Sequence, residues 1–231
     1  LPRWWQPSFE GIAALAPVVG LGIGGLLALA DWGLRAVDTP ALLSGGGVVA
    51  LWVWLTGGLH LDGAMDTADG LAVTEPKRRL EVMADSRTGA FGTMVAIAIL
   101  GLKTLALGEL TSSRALVLLV APLWGRWGQV VAIARYPYLK AEGKGAFHKA
   151  GLRLPQDLLL GPVIALLLHG LYGWLYPHQT LSAVAMFPVG IVLAVTTAAW
   201  FNRRLGGHTG DSYGAVVEWT EVLLLCVAVW L

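Results

Sequence analysis

Seven stretches of this chain are long and apolar enough to cross the hydrocarbon core of a bilayer: 11–30, 41–59, 91–108, 115–134, 158–175, 181–201 and 215–231. At 1.5 Å rise per residue, about 20 residues of helix cover the ~30 Å core. A membrane strand would alternate apolar and polar residues and end after about ten. These runs are continuous, so the expected fold is all-α: a polytopic membrane helical bundle of about seven transmembrane helices, forming a single integral membrane domain over 1–231. Composition agrees, with 56% apolar and 13% charged residues among 231 and a mean hydropathy of +0.66. Gly20, Gly22, Gly24 and Gly25 in the first window are small residues of the kind that let membrane helices approach closely. That window is also longer than a secretory apolar core, so no cleavable signal is expected.

The charge balance excludes one class of partner and orients the chain. Sixteen Lys and Arg against fifteen Asp and Glu leave a formal charge of +1, so no basic field exists to hold nucleic acid. Cys226 is the single cysteine, which excludes an intrachain disulfide and a Cys-based metal cluster. Arg3, Lys77, Arg78, Arg79, Arg87, Arg135, Lys140, Lys144, Lys149, Arg153, Arg203 and Arg204 all fall on one side of the expected spans, and only Arg35 and Arg114 on the other. Positive residues mark the cytoplasmic side, so the N-terminus is expected in the cytoplasm. The long cytoplasmic segments 60–90, 135–157 and 202–214 are then where an active site would be built.

The first of these segments carries Asp62, Asp66 and Asp69. On a helix, positions i, i+4 and i+7 share one face. On a solvated helix such a stripe costs only ~0.2–0.5 kcal/mol per like-charged pair and means nothing further. Here it abuts a bilayer, where desolvation magnifies the repulsion, and glycines surround it. Converging carboxylates with no basic partner suit a hard divalent cation, and the lack of neighbouring Cys or paired His argues against zinc. Mg²⁺ takes one or two carboxylates together with phosphate oxygens, so a diphosphate substrate is the natural companion.

Residues 76–84 read as a short helix ending at Asp85-Ser86-Arg87-Thr88-Gly89, which adds a fourth acid and a planar guanidinium fit to clamp phosphate. Lys77, Arg78 and Arg79 read as a face turned to lipid headgroups. In the second segment Gly143-Lys144-Gly145 is a flexible basic turn, but it is not a Walker sequence. In the third, the glycines around Gly207 and Thr209 allow backbone N–H groups to line an anion, and Asp211 is placed to bind metal or accept a proton. Within the spans, Lys103 and Arg126 are candidates for substrate binding, because an ionisable group in the membrane costs ~2.5 kcal/mol or more. Lys103, nearer the outer end of its window, has the alternative of snorkelling to the surface, and Arg126 that of pairing with Glu218 or Glu221. His169 reads as a packing residue.

Gly58-Leu59-His60-Leu61-Asp62-Gly63, Asp66-Thr67-Ala68-Asp69-Gly70-Leu71, Arg79-Leu80-Glu81-Val82-Met83 with Asp85-Ser86-Arg87-Thr88-Gly89, and Leu205-Gly206-Gly207-His208-Thr209-Gly210-Asp211 resemble the cobalamin synthase family, the adenosylcobinamide-GDP ribazoletransferases. The likeness runs from Pro17 to Glu221. Met65 and the basic stretch 140–144 depart from the family pattern. The resemblance implies an enzyme of the last assembly step of the vitamin B12 nucleotide loop, in which α-ribazole or its 5′-phosphate displaces GMP from adenosylcobinamide-GDP with Mg²⁺ as cofactor. It implies a multi-pass protein of the bacterial cytoplasmic (inner) membrane, surrounded by lipid, and leaves a homo-oligomer open. On this reading Asp62, Asp66 and Asp69 hold the metal, and Asp85 or Asp211 completes its shell. Arg87 and Lys144 steady phosphates, and His60 or a spare acid is the base.

Two other readings compete. A membrane prenyltransferase or a CDP-alcohol phosphotransferase would also hold diphosphate through Mg²⁺. The first carries two Asp-rich segments where this chain has only Asp211 in the later one, and Ala64-Met65 breaks the fixed spacing of the second. A transporter would place Arg126 and Glu218 along a pathway, but seven spans do not divide into inverted repeats.

Overall fold

The computed structural model describes residues 11–140 and 151–231, which leaves Lys144 outside the described residues. A short 3₁₀ turn, Ile12–Leu15, leads into α1 (Ala16–Ala36), which has Pro17 in its first turn, where a missing N–H costs nothing. Then follow α2 (Ala41–Thr56), α3 (Leu59–Ala72), the short α4 (Pro76–Val82), α5 (Ala90–Glu109) and α6 (Arg114–Arg135). After α6 come α7 (Gln156–Leu175), α8 (Thr180–Leu205) and α9 (Gly210–Ala228). Among the described residues no strand forms, and the one β-bridge pairs Tyr138 with His208.

Among the described residues five segments are long and apolar enough to cross a membrane: Ile12–Ala36, Ala90–Glu109, Arg114–Arg135, Gln156–Leu175 and Pro177–Leu205. A sixth arises only if α2 and α3 are taken together, and that pair is bent by 89°. The seventh expected span corresponds to α9, which fails on composition because it carries Asp211, Glu218 and Glu221. It is shielded from lipid by its neighbours and buries most of its residues.

α6 runs through the middle, buried along almost its whole length and packed by α1, α7, α8 and α9. The small residues of α1 serve the packing expected of them: a Cβ on Gly20 would stand 2.4 Å from Pro122 O, and one on Gly24 2.6 Å from Leu118 O. Trp52, Trp124, Leu27, Ile99 and Leu107 fill the centre. Trp32, Trp54, Trp174 and Leu181 face outward. That inversion of the soluble pattern is what a hydrocarbon solvent permits. At the end remote from the acids, Arg114 is buried against Asp31 (Nη2 to Oδ1, 2.6 Å; Nε to Oδ2, 2.8 Å), and Ser44 Oγ donates to Asp31 Oδ1 at 3.1 Å.

The bend between α2 and α3 has a local cause. Gly57 (φ 62°) and Gly58 (φ 70°) adopt left-handed conformations in succession, which only glycine does without strain. α3, 14 residues and about 21 Å long, is too short to cross. Turned out of line with α2, it is not a span but a helix laid against α5 and α9.

Candidate active site

α3 places Asp62, Asp66 and Asp69 on the stripe that their spacing requires, with Asp62 exposed and the other two half-buried. Glycine brings this stripe to α9. A Cβ on Gly63 would lie 2.6 Å from Asp211 O, and one on Gly214 would lie 2.9 Å from His60 O, so the two backbones touch and Asp211 joins the acids of α3. α9 starts at a capping box: Thr209 Oγ1 accepts from Ser212 N at 3.2 Å, and Ser212 Oγ accepts from Thr209 N at 2.8 Å. Lys140 Nζ approaches Asp211 Oδ2 at 3.4 Å.

Burial, reinforced by Asp62, Asp211 and Asp69, pushes the Asp66 carboxyl up to about 6, against the pull of Lys140. Among the described residues one lysine stands against four carboxylates, and such an excess of negative charge is what a cation would relieve. Among the described residues, however, no three His, Cys, Asp or Glu side chains stand close enough to form a metal cage. Mg²⁺ does not need one, since it binds through one or two carboxylates and fills its octahedron with water and phosphate oxygens. The donor set therefore fits an ion shared with a diphosphate rather than one enclosed by protein.

The other expected site residues divide. Asp69 accepts from Gly89 N at 2.7 Å and Gly92 N at 2.8 Å, so both its oxygens cap the N-terminus of α5. Asp85 and Arg87 pair with each other in an exposed loop (Nη2 to Oδ2, 2.6 Å), which holds the Asp85 carboxyl down at about 2. Thr209 serves as the cap just described, and Gly207 lies so close to the second loop that a Cβ would meet Pro137 O at 2.8 Å. Arg79 makes contacts within the chain: its Nε donates to Val73 O (3.1 Å) and its Nη1 to Arg204 O (2.8 Å), tying α4 to the end of α8.

Lys103 does not snorkel. Two glutamates hold it inside the bundle, Glu218 Oε2 at 2.7 Å and Glu221 Oε2 at 2.6 Å, and its ammonium lies 4.2 Å from the centre of the Trp52 ring. Arg126 takes the other Glu221 oxygen at 2.9 Å, as its pairing alternative foresaw. Two cations and two anions thus close a neutral network across α5, α6 and α9. His60 has Arg126, Glu218 and Lys103 for charged surroundings, and its buried Nδ1 has no hydrogen-bond partner. His169 Nδ1 contacts Ala165 O at 2.7 Å and its ring stands edge-on to Phe187, consistent with packing.

Sequence reasoning missed His208. It is fully buried, with Nδ1 3.0 Å from Ser212 Oγ and Nε2 3.2 Å from Ala198 O, and burial pushes it down to about 4. Its ring stacks on Tyr213, which stacks on Tyr138, while its backbone exchanges hydrogen bonds with Pro137 and Leu139. The column locks the second loop to the third beside Asp211. In the sequence it stands inside the Leu205-to-Asp211 motif, but nothing there signals its partners in the other loop.

The family described as cobalamin-5-phosphate synthase matches residues 1–229. A protein of Trichormus variabilis named adenosylcobinamide-GDP ribazoletransferase is 59% identical over 220 residues, covering 95% of this chain and 87% of its own. Proteins of the same name from Synechococcus elongatus and Synechocystis are 54% and 46% identical, covering 97% of this chain and 88% and 87% of their own. No solved structure matches.

Proposed function

The chain belongs to the cobalamin-5-phosphate synthase family, and from that membership we propose that it joins adenosylcobinamide-GDP to α-ribazole, or to α-ribazole 5′-phosphate, with release of GMP. The reaction is assigned to the acidic cleft between α3 and α9. The observation that carries this assignment is the convergence of Asp62, Asp66 and Asp211, with Lys140 as the close cation among the described residues. The excess of positive residues on the same side supports a cleft facing the cytoplasm from a cytoplasmic (inner) membrane.

A ribose hydroxyl of the ribazole attacks the corrinoid-bearing phosphorus, a new P–O bond forms, the bond to GMP breaks, and the hydroxyl proton passes to a carboxylate. Positioning and charge neutralisation account for most of such a barrier. Asp62 and Asp66 would hold Mg²⁺, which would neutralise charge on the diphosphate oxygens. Lys140 stands beside them to receive the departing phosphate. Asp211, held by Lys140 and by Thr209 Oγ1 at 3.3 Å, is the acid placed to take the proton. His60 sits instead among the buried ions of the network.

Release of GMP from adenosylcobinamide-GDP by the detergent-purified protein tests this. Chelation by EDTA is expected to stop release, and added Mg²⁺ to restore it. Undiminished turnover in EDTA would remove the metal from the reading. Anomalous scattering from Mn²⁺ at a place remote from Asp62 and Asp66 would move the site.

A further inference from the structure

We propose that the lateral apolar groove between α3, α5, α8 and α9 binds one anionic phospholipid, its acyl chain along the groove and its phosphate on Arg204. The groove encloses about 580 Å³, with Ala64 and Ala68 of α3, Phe91 of α5, Trp200 of α8 and Trp219 of α9 among its walls. Its threonine hydroxyls are already satisfied: Thr197 Oγ1 reaches Leu193 O and Thr220 Oγ1, both at 2.8 Å, and Thr196 Oγ1 donates to Val192 O at 2.6 Å. Beyond the indole N–H groups of Trp200 and Trp219, a polar ligand would find little to replace its lost hydration.

The position of the groove selects the occupant. Phe91 and Trp200 at its rim are 55% and 47% exposed, so it opens sideways between α5 and α8, which are both membrane spans. It runs from Trp200 to Thr196 and beyond, and Thr196 lies nine residues before the end of α8, about 14 Å deep. At the mouth the Arg204 guanidinium lies over the Trp200 ring at 5.4 Å, and Arg203 and Arg204 are both exposed. Among the described residues neither has a carboxylate partner. An unpaired guanidinium above an aromatic rim, over an apolar slot open to the hydrocarbon, matches a phosphate on an acyl chain. Ala64 and Ala68 lie on the same helix as Asp62, Asp66 and Asp69, so the chain would pack directly against the acid-bearing helix.

The inference needs only the membrane setting, so its test reads lipid rather than turnover. The full-length protein in detergent is mixed with phosphatidylglycerol or phosphatidylcholine, and retained lipid is counted by native mass spectrometry. Wild type is expected to retain one phosphatidylglycerol in preference to phosphatidylcholine. Ala68→Phe, and Thr196→Trp from the opposite wall, are expected to lose both lipids while keeping the helical circular-dichroism signal. Arg204→Gln is expected to keep an acyl chain but to lose about fivefold of the headgroup preference. Retention of phosphatidylglycerol at the wild-type level by both groove-filling variants would overturn the proposal. So would a fall in oligomeric mass in those variants with lipid unchanged, which would assign the groove to a second copy of the chain.

Discussion

Lys103 on α5 and Glu221 on α9 meet at 2.6 Å in the interior of the bundle, with 3% and 1% of their side chains exposed. Neither charge could remain there alone. Removing one partner of a buried pair strands the other and costs about 3–5 kcal/mol. Lys103→Met should therefore lower the melting temperature in detergent sharply, and adding Glu218→Gln should recover part of the loss. A single variant as stable as wild type would mean that the network is not what sets α9 against α5.

Asp66 is at the centre of the acid cluster and half-buried. Asp66→Asn keeps its shape and removes one charge from a group that repels its neighbours. GMP release should fall by ~10²-fold or more, the scale of losing one preorganised electrostatic contact, while the melting temperature stays at or above that of wild type. Normal turnover by this variant would exclude Asp66 from the metal site.

Asp69 separates a capping role from a ligating one. Asp69→Ala removes both acceptors from Gly89 and Gly92 and should destabilise by about 1–2 kcal/mol, whereas Asp69→Asn, which keeps one oxygen, should lose less. Thermal melts of the two variants without Mg²⁺ give the comparison. Equal stability of both to wild type would contradict the cap.

His208 provides a pH dependence. Its folded value near 4 lies below the unfolded 6.5, so the unfolded chain takes the proton first. The stability that burial of the neutral ring contributes is complete above about pH 6.5 and is lost as pH falls towards 4, at no more than ~1.4 kcal/mol per pH unit. Asp66, raised to about 6, contributes the opposite slope over part of the same range, so the measure is a difference: the melting temperature of wild type relative to His208→Gln should fall from pH 7.5 to 4.5, and a constant difference would exclude His208 as its source.

Continuous apolar runs made the helices legible, and the i, i+4, i+7 spacing placed three aspartates on α3 correctly. The short helix after Pro76 was also anticipated, and it ends at Val82, within two residues of expectation. Contacts distant in sequence were not legible. The amides that Asp69 caps lie 20 and 23 residues away, and the glutamates that hold Lys103 lie more than a hundred residues on. A charge inside a span signals that a partner exists, but not which one. The count of seven spans is not confirmed: among the described residues five segments qualify, six with the bent α2–α3 pair, and α9, counted as a span from its sequence, carries acids that the cations of α5 and α6 meet.

The paired left-handed glycines at 57 and 58 have a mechanical consequence. α2 is 16 residues, about 24 Å, shorter than a ~30 Å hydrocarbon core, so in such a membrane it would draw the bilayer inward rather than lean. An unbroken helix would carry the resulting strain along its axis straight into Asp62 and Asp66. The turn at these two glycines takes α3 off that axis, so the aspartates keep their register against α9 whatever the thickness around α2.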